Sequence, residues 1–244
     1  MKTKDSGDTV IDFCKIPFHK DDLEELKKLQ VNFVFQPIFD INTLEVIAHE
    51  ALMRPNGKSP LELIDEYQKM NQLYVIEIAT CFGATLEYRE RGYKERMCLN
   101  SFPSEKLNDG QMQLYFDYFP EMEGKIIVEM VEYTELNKAK WAAKKEEISG
   151  FDMQLSLDDY STGNNNEEAV EFFKPQYVKF DRSMITDVHL DEYKQKVIWK
   201  WVDEFHTKGI KIIAEGVETE DEFNFLKNET GVDYVQGYYL ARPK

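Results

Sequence analysis

The feature of this 244-residue chain that most restricts its fold is the alternation of short strand-like runs with longer helix-like runs from Asn32 onward. Such alternation is typical of a mainly parallel sheet covered by helices. Helical spacing of apolar residues is clearest in Leu73–Arg91, Leu136–Ile148 and Asp191–Thr207. The predicted strands are Asn32–Phe39, Val46–Met53, Arg96–Asn100, Lys125–Val131, Met153–Asp158, Tyr177–Asp181, Ile210–Ala214 and Tyr234–Gln236.

Eight strands with intervening helices predict an α/β fold, a TIM-like (β/α)8 barrel. The connection between the first two strands is short, because only Asp40–Glu45 separates them. A parallel crossover needs about a dozen residues or more. We therefore expect a hairpin, with the first strand antiparallel to the rest. Residues 1–30 are interpreted as a leader with one short helix, and residues 31–244 as the barrel.

Composition narrows the classes of partner and compartment. The chain has 46 acidic and 30 basic residues, a net charge of -16, which argues against binding to duplex nucleic acid. Three cysteines, Cys14, Cys81 and Cys98, have spacings that suggest neither a disulfide framework nor a metal knuckle. Without a signal-peptide pattern or a run of membrane-spanning length, we expect a cytoplasmic protein with no membrane anchor in this chain.

Polar side chains recur at the carboxyl ends of the predicted strands, where barrel enzymes carry their catalytic groups. Alternation places the members of this set on one face of seven strands, while the opposite face is mostly apolar. A solvated strand end would explain any one of these residues, but not the repetition. The set comprises Glu50 and Arg54, Asn100, Glu129, Asp158, Lys179 and Asp181, Glu215, and Gln236.

Carboxylate and amide oxygens are the ligands that hard divalent cations prefer, so the set predicts magnesium or manganese rather than zinc. The adjacent Asp158 and Asp159 suggest two ions, with Asp158 ending the strand and Asp159 beginning the next loop. Two ions about 3.5–4 Å apart would activate a water for phosphodiester hydrolysis. Lys179 would hold that water or a phosphate oxygen, or would only pair with Asp181.

Seven motifs follow one another along the chain: FQPIFDINTLEVIAHEALMR, LNSF, VEMVE, LDDYSTG, YVKFDRSMI, IIAEGVET and VQGYYLARP. In this order they resemble the EAL domain family, whose name-giving triplet is Glu50, Ala51 and Leu52. The resemblance extends from Asn32 to Pro243 and implies a barrel with a reversed first strand that hydrolyses cyclic di-GMP to linear pGpG.

The resemblance also implies a role for each matching position. Two magnesium or manganese ions are expected on Glu50, Asn100, Glu129, Asp158 and Asp159. Lys179 and Glu215 are expected to position and deprotonate the attacking water. Gln36, Leu52, Arg54, Asp181, Glu218 and Gln236 are expected to contact cyclic di-GMP itself or the residues that bind it. Glu132 is similar to the family's acid that steadies a loop, and the family's pairing through its fifth and sixth helices suggests a homodimer.

The chain departs from the family pattern after the fifth strand. Ser161 replaces a glycine, which removes backbone freedom, and Asn164–Asn166 replace an aromatic residue and two serines. Val131 replaces the usual threonine. Two alternatives to an active phosphodiesterase therefore stay open. One is a weak or inactive module that binds cyclic di-GMP or a protein partner, and the other is a different metal-dependent barrel enzyme, such as a carbon–carbon lyase.

Overall fold

The computed structural model describes residues 10–131, 138–160 and 167–244, apart from the side chain of Asp159. Its strands close into one barrel in chain order, which confirms the predicted fold. β1 is antiparallel to both its neighbours, β2 and β8, and the other neighbouring pairs are parallel. The strands are β1 (Val31–Asp40), β2 (Val46–Pro55), β3 (Arg96–Ser101), β4 (Ile126–Met130), β5 (Gln154–Tyr160), β6 (Tyr177–Phe180), β7 (Lys211–Ala214) and β8 (Tyr234–Val235).

The β1–β2 connection is the predicted hairpin, and the side chain of Asp40 explains why it is so short. The Asp40 carboxylate accepts the backbone N–H groups of Asn42 and Thr43, both at 2.9 Å. The Asp40 N–H donates to the carbonyl of Glu45 at 2.9 Å. Aspartate often holds a turn in this way, because its short side chain reaches the backbone two residues ahead.

Helices cover the outside of the barrel between successive strands. The predicted helix Leu73–Arg91 is continuous, and a π-helical turn at Ala79–Gly83 joins its two α-helical parts. The helices are α1 (Lys20–Leu26), α2 (Pro60–Lys69), α3 (Leu73–Ile78), α4 (Ala84–Arg91), α5 (Asp109–Tyr118), α6 (Lys138–Gly150), α7 (Glu167–Phe173), α8 (Arg182–Ile185), α9 (Glu192–Thr207) and α10 (Glu220–Phe225). Within the described ranges, no helix has both the length and the apolar character needed to cross a bilayer.

The two faces of the strands separate two layers of core, as the alternation predicts. One layer fills the barrel below the rim and consists of Ile38, Ala48, Cys98, Ile127, Tyr177 and Ile213. The other packs under the helices and includes Met97, Leu99, Val128, Leu157, Val178 and Ile212. The polar residues that share a strand face with this first layer therefore lie directly above a barrel interior that is filled with apolar side chains.

Strand β5 extends beyond its predicted end at Asp158. The prediction that Asp159 begins the following loop is wrong, because β5 continues to Tyr160. Leu157 lies opposite Val178 on β6, and Tyr160 lies opposite Phe180, so two aspartates face the single residue Lys179. Such a bulge bends the strand and changes the direction of its side chains, and bulges are common next to active sites.

The segment before β1 packs against the barrel domain. Ile11, Phe13, Ile16 and Phe18 are buried in the same apolar cluster as the outer face of the sheet. The N–H of Ile11 also donates to the carbonyl of Val31 at 2.9 Å. The division of the chain at residue 30 stays a prediction, and the packing shows that the residues before it share the core of the barrel.

Candidate active site

The ammonium group of Lys179 is the centre of the candidate site, at the carboxyl ends of the strands. Its Nζ lies 3.0 Å from Glu129, 3.1 Å from Asp158 and 3.6 Å from Glu50, and it also pairs with Glu215. Lys179 and Glu129 are fully buried, and the other three carboxylates are largely buried. Five different strands or strand ends thus deliver the five charged groups, as the alternation predicts.

Burial and crowding shift the proton affinities of this cluster. Burial raises the pKa of Glu129 to about 8. The positive charge of Lys179 lowers this pKa, whereas the negative charges of Glu50 and Asp158 raise it. Burial likewise raises the pKa of Glu215 well above its usual value, although Lys179 opposes it. For Lys179, burial lowers the pKa, but the surrounding carboxylates outweigh burial and hold it well above its usual value. Lys179 is therefore a fixed cation among groups that compete for it.

The cluster opens into a cleft of about 260 Å³. Gln236 donates from Nε2 to Oε2 of Glu50 at 2.7 Å, which orients that carboxylate. Gln36 donates to the carbonyl of Ala241 at 3.1 Å. Predicted residues that line the cleft are Gln36, Glu50, Leu52, Asp158, Lys179, Asp181, Glu215, Glu218 and Gln236. Most of the predicted site is thus brought together around one opening.

A second cavity, of about 390 Å³ and mostly apolar, adjoins the first and shares Glu50 and Leu52 with it. Asn100 and Arg54 line this second cavity rather than the cleft. Arg54 is exposed and donates to the carbonyl of its neighbour Met53 at 3.0 Å. The two cavities flank the carboxylates, so a molecule larger than either one would span the charged cluster.

Two predicted residues lie outside the described part of the chain. For Glu132, neither the backbone nor the side chain is described, and for Asp159 only the backbone is described. The altered loop at Ser161 and Asn164–Asn166 is also outside it. Their assigned roles stay predictions.

The chemistry of the donors fits divalent cations. Four carboxylates surround one ammonium group, so Lys179 can compensate only one negative charge when the carboxylates ionise. Oε2 of the fully buried Glu129 has no hydrogen-bond partner among the described residues, although a buried carboxylate oxygen normally has one. Lys179 stands between the carboxylates, and no three His, Cys, Asp or Glu side chains of the described ranges are grouped closely enough to ligate an ion directly.

Residues 20–243 match the family model of the EAL domain. The chain belongs to the EAL domain family. The EAL domain of this chain is 22% identical, over 231 residues, to the probable cyclic di-GMP phosphodiesterase PdeN of Escherichia coli, covering 89% of this chain and 44% of PdeN. It thus spans less than half the length of that curated relative.

Solved EAL structures share the fold of this EAL domain. A standalone EAL protein of Vibrio cholerae in its c-di-GMP-bound form has a TM-score of 0.78 at 24% identity, covering 88% of this chain and 92% of that one. BlrP1 of Klebsiella pneumoniae, in a calcium and cy-diGMP complex, has a TM-score of 0.76 at 22% identity, covering 87% and 55%. A manganese and cy-diGMP complex of BlrP1 also matches, with a TM-score of 0.71 at 21% identity and coverage of 87% and 56%.

Four further residues line the cleft of this EAL domain and were not predicted from the sequence: Arg182, Gly216, Gly237 and Tyr238. Gly237 lies so close to Val217 that a Cβ would stand 2.0 Å from its carbonyl oxygen. Gly216 has a φ of +67°, and a Cβ there would be 2.6 Å from the side chain of Arg182. The signal was available, because both glycines are inside motifs quoted above and directly follow predicted site residues.

Proposed function

We propose that this EAL domain hydrolyses cyclic di-GMP to linear pGpG with two divalent cations, magnesium or manganese. The observation that carries the proposal is the convergence of four carboxylates on Lys179 at the rim of the barrel. The family and the name of its relative PdeN support the substrate. The two adjoining cavities support a substrate that extends to both sides of the carboxylates.

The oxygen donors would hold the two cations, and these donors are Glu50, Asn100, Glu129, Asp158 and Asp159. When bound, the cations supply charge neutralisation at the phosphodiester and a more acidic water. Gln236 keeps the Glu50 carboxylate oriented by its 2.7 Å hydrogen bond. Groups that orient a ligand in this way commonly strengthen metal binding.

Lys179 and Glu215 would act on the attacking water. Lys179 is fixed by ion pairs on several sides, so its ammonium group can hold an oxygen without moving. Glu215 contacts Lys179 and lines the open cleft, where its carboxylate can accept the proton of that water. Gln36, Leu52, Arg54, Asp181 and Glu218 would contact the substrate along the two cavities.

Arg182 extends this set. It pairs with Glu218 at 2.8 Å and lines the cleft, where it is one of the two cationic side chains that the structure describes there. A phosphodiester carries negative charge, so a guanidinium at the mouth of an otherwise acidic cleft favours its entry.

The deciding experiment is incubation of purified protein with cyclic di-GMP and either Mg²⁺ or Mn²⁺, followed by chromatographic identification of products. We expect pGpG with metal and none with EDTA. Tight binding of cyclic di-GMP without product would instead favour the receptor alternative. Neither binding nor product would remove cyclic di-GMP as the ligand. A cytoplasmic location and a homodimer are part of the same proposal, and gel filtration with light scattering tests the second.

A further inference from the structure

A second buried charged group lies outside the cleft, and we call it the Glu77–Lys144–Glu147 triad. Nζ of Lys144 is 2.7 Å from Oε1 of Glu77 and 2.8 Å from Oε2 of Glu147. All three side chains are at most 7% exposed. Burial lowers the pKa of Lys144, but the two carboxylates outweigh it and raise that pKa above its usual value.

A gain in stability does not by itself explain why this charged triad is buried. Removing charged groups from water costs free energy, and a protein is often equally stable when apolar side chains of similar volume replace a buried ion pair. The triad also carries a net negative charge, because two carboxylates share one ammonium. Its carboxylates therefore need further hydrogen bonds, and the groups that provide them show what the triad holds.

Those hydrogen bonds come from the end of β3 and the loop that follows it. Ser101 donates from Oγ to Oε1 of Glu77 at 2.5 Å, and the N–H of Phe102 donates to Oε2 at 3.1 Å. The N–H of Leu107 donates to Oε1 of Glu147 at 2.8 Å. The triad thus fixes the two residues directly after Asn100, which is one of the proposed metal ligands.

Asn100 lies between the triad and the catalytic rim. It pairs in register with Glu129 on the neighbouring strand β4. It also lines two cavities. One is a small cavity of about 30 Å³ beside Glu77 and Lys144, and the other is the larger apolar cavity beside Glu50. A shift of the β3 end would therefore move the Asn100 amide relative to Glu129.

We infer that Glu77, supported by Lys144 and Glu147, is a positioning residue for metal binding, acting through Ser101 on Asn100. This rests on the proposed function only in that Asn100 binds a cation. Groups that hold metal ligands in place typically affect affinity about 10- to 100-fold when they are lost.

The test compares the Mn²⁺ affinity of serine variants at the end of β3 and in the loop that follows it, by calorimetry on metal-free protein. Ser101→Ala removes the hydroxyl that reaches Glu77, and Ser101→Thr keeps it. Ser104→Ala is the matched control, because its hydroxyl donates to Glu105 at 3.0 Å and not to the triad. We expect Ser101→Ala to bind Mn²⁺ about tenfold more weakly. The other two variants should bind like the wild type.

Thermal unfolding of the metal-free variants separates positioning from stability. Positioning requires that the affinity loss of Ser101→Ala persist at temperatures where the protein is fully folded. Wild-type affinity in Ser101→Ala would overturn the inference, and so would an equal loss in Ser104→Ala. A wild type that binds Mn²⁺ without forming pGpG would overturn the proposed function alone, and the affinity comparison would still decide this inference. A wild type that binds no Mn²⁺ would overturn both.

Discussion

Nζ of Lys179 lies 3.0 Å from Oε1 of Glu129, and both side chains are buried in the barrel. A glutamate this deeply buried depends on the lysine, because without Lys179 its charge would be uncompensated. Three more carboxylates crowd the same ammonium group, so the metal-free site is a cluster of like charges around one cation. Opposite consequences follow for activity and for stability.

Removing one carboxylate should abolish turnover without harming the metal-free fold. For Glu50→Gln we expect at least a roughly 100-fold fall in kcat with Mn²⁺, because a cation ligand is lost. Unfolding in urea with EDTA should show equal or higher stability, by about 1 kcal/mol, because one of four competing charges is gone. Glu45→Gln, in the exposed hairpin turn, is the control. Wild-type turnover by Glu50→Gln in a metal-buffered assay would refute its role as a ligand.

Removing the lysine should have the reverse effect on the metal-free protein. Lys179→Met leaves the carboxylates without their cation, and we expect a loss of about 3 kcal/mol in the free energy of unfolding. Mn²⁺ should restore more stability to this variant than to the wild type, without restoring turnover. The exposed Lys106→Met serves as the control. Equal stabilisation of both proteins by Mn²⁺, measured by thermal unfolding, would contradict this prediction.

The backbone contact at Gly237 should tolerate no side chain. In Gly237→Ala the new Cβ would lie 2.0 Å from the carbonyl oxygen of Val217, so one segment must move. We expect a loss of about 1–3 kcal/mol and weaker substrate binding, because Gln236 precedes this position. Gly150→Ala, where a Cβ meets no atom within 4 Å, is the matched control. If urea unfolding and KM are the same for both variants, the contact is not decisive.

The buried carboxylate of Glu222 should make stability depend on pH. Burial raises its pKa, but the backbone N–H groups of Glu218, Asp187 and Thr219 outweigh burial and lower it below the usual 4.5. Because the folded pKa is the lower one, this stabilisation is present above about pH 4.5 and is lost as the pH falls through the folded value.

Glu222→Gln tests this dependence. We expect it to be less stable than the wild type by about 2 kcal/mol at pH 7, because the charged acceptor is lost. The difference should narrow below pH 4.5, where the wild type loses the same charge. Urea unfolding of both proteins at pH 7 and pH 4 measures it. A difference that stays constant across this range would show that the charge on Glu222 does not contribute.

Local pattern was sufficient for much of the site. Glu50, Glu129, Lys179 and Glu215 follow from strand alternation alone, because alternate side chains of a strand point to the same side and parallel strands end at the same rim. The hairpin also followed from the length of the connection between the first two strands, since six residues are too few for a parallel crossover. These features depend on neighbours a few residues apart.

Contacts between residues far apart in the chain do not follow from local pattern. The bulge that keeps Asp159 within β5 appears only in the pairing of β5 with β6. The close approach of Gly237 to Val217 requires that the loop after β7 fold against the end of β8.

The sequence by itself determined the barrel, its reversed first strand and the polar rim, because each is a repeating local pattern. Only the tertiary structure decided which charges meet. Glu77 and Lys144 are 67 residues apart in the chain and 2.7 Å apart in space. No periodicity encodes that contact, because it depends on how the helices α3 and α6 pack against each other on the outside of the barrel. The pairing of buried charges is therefore a property of the closed barrel and not of any one segment.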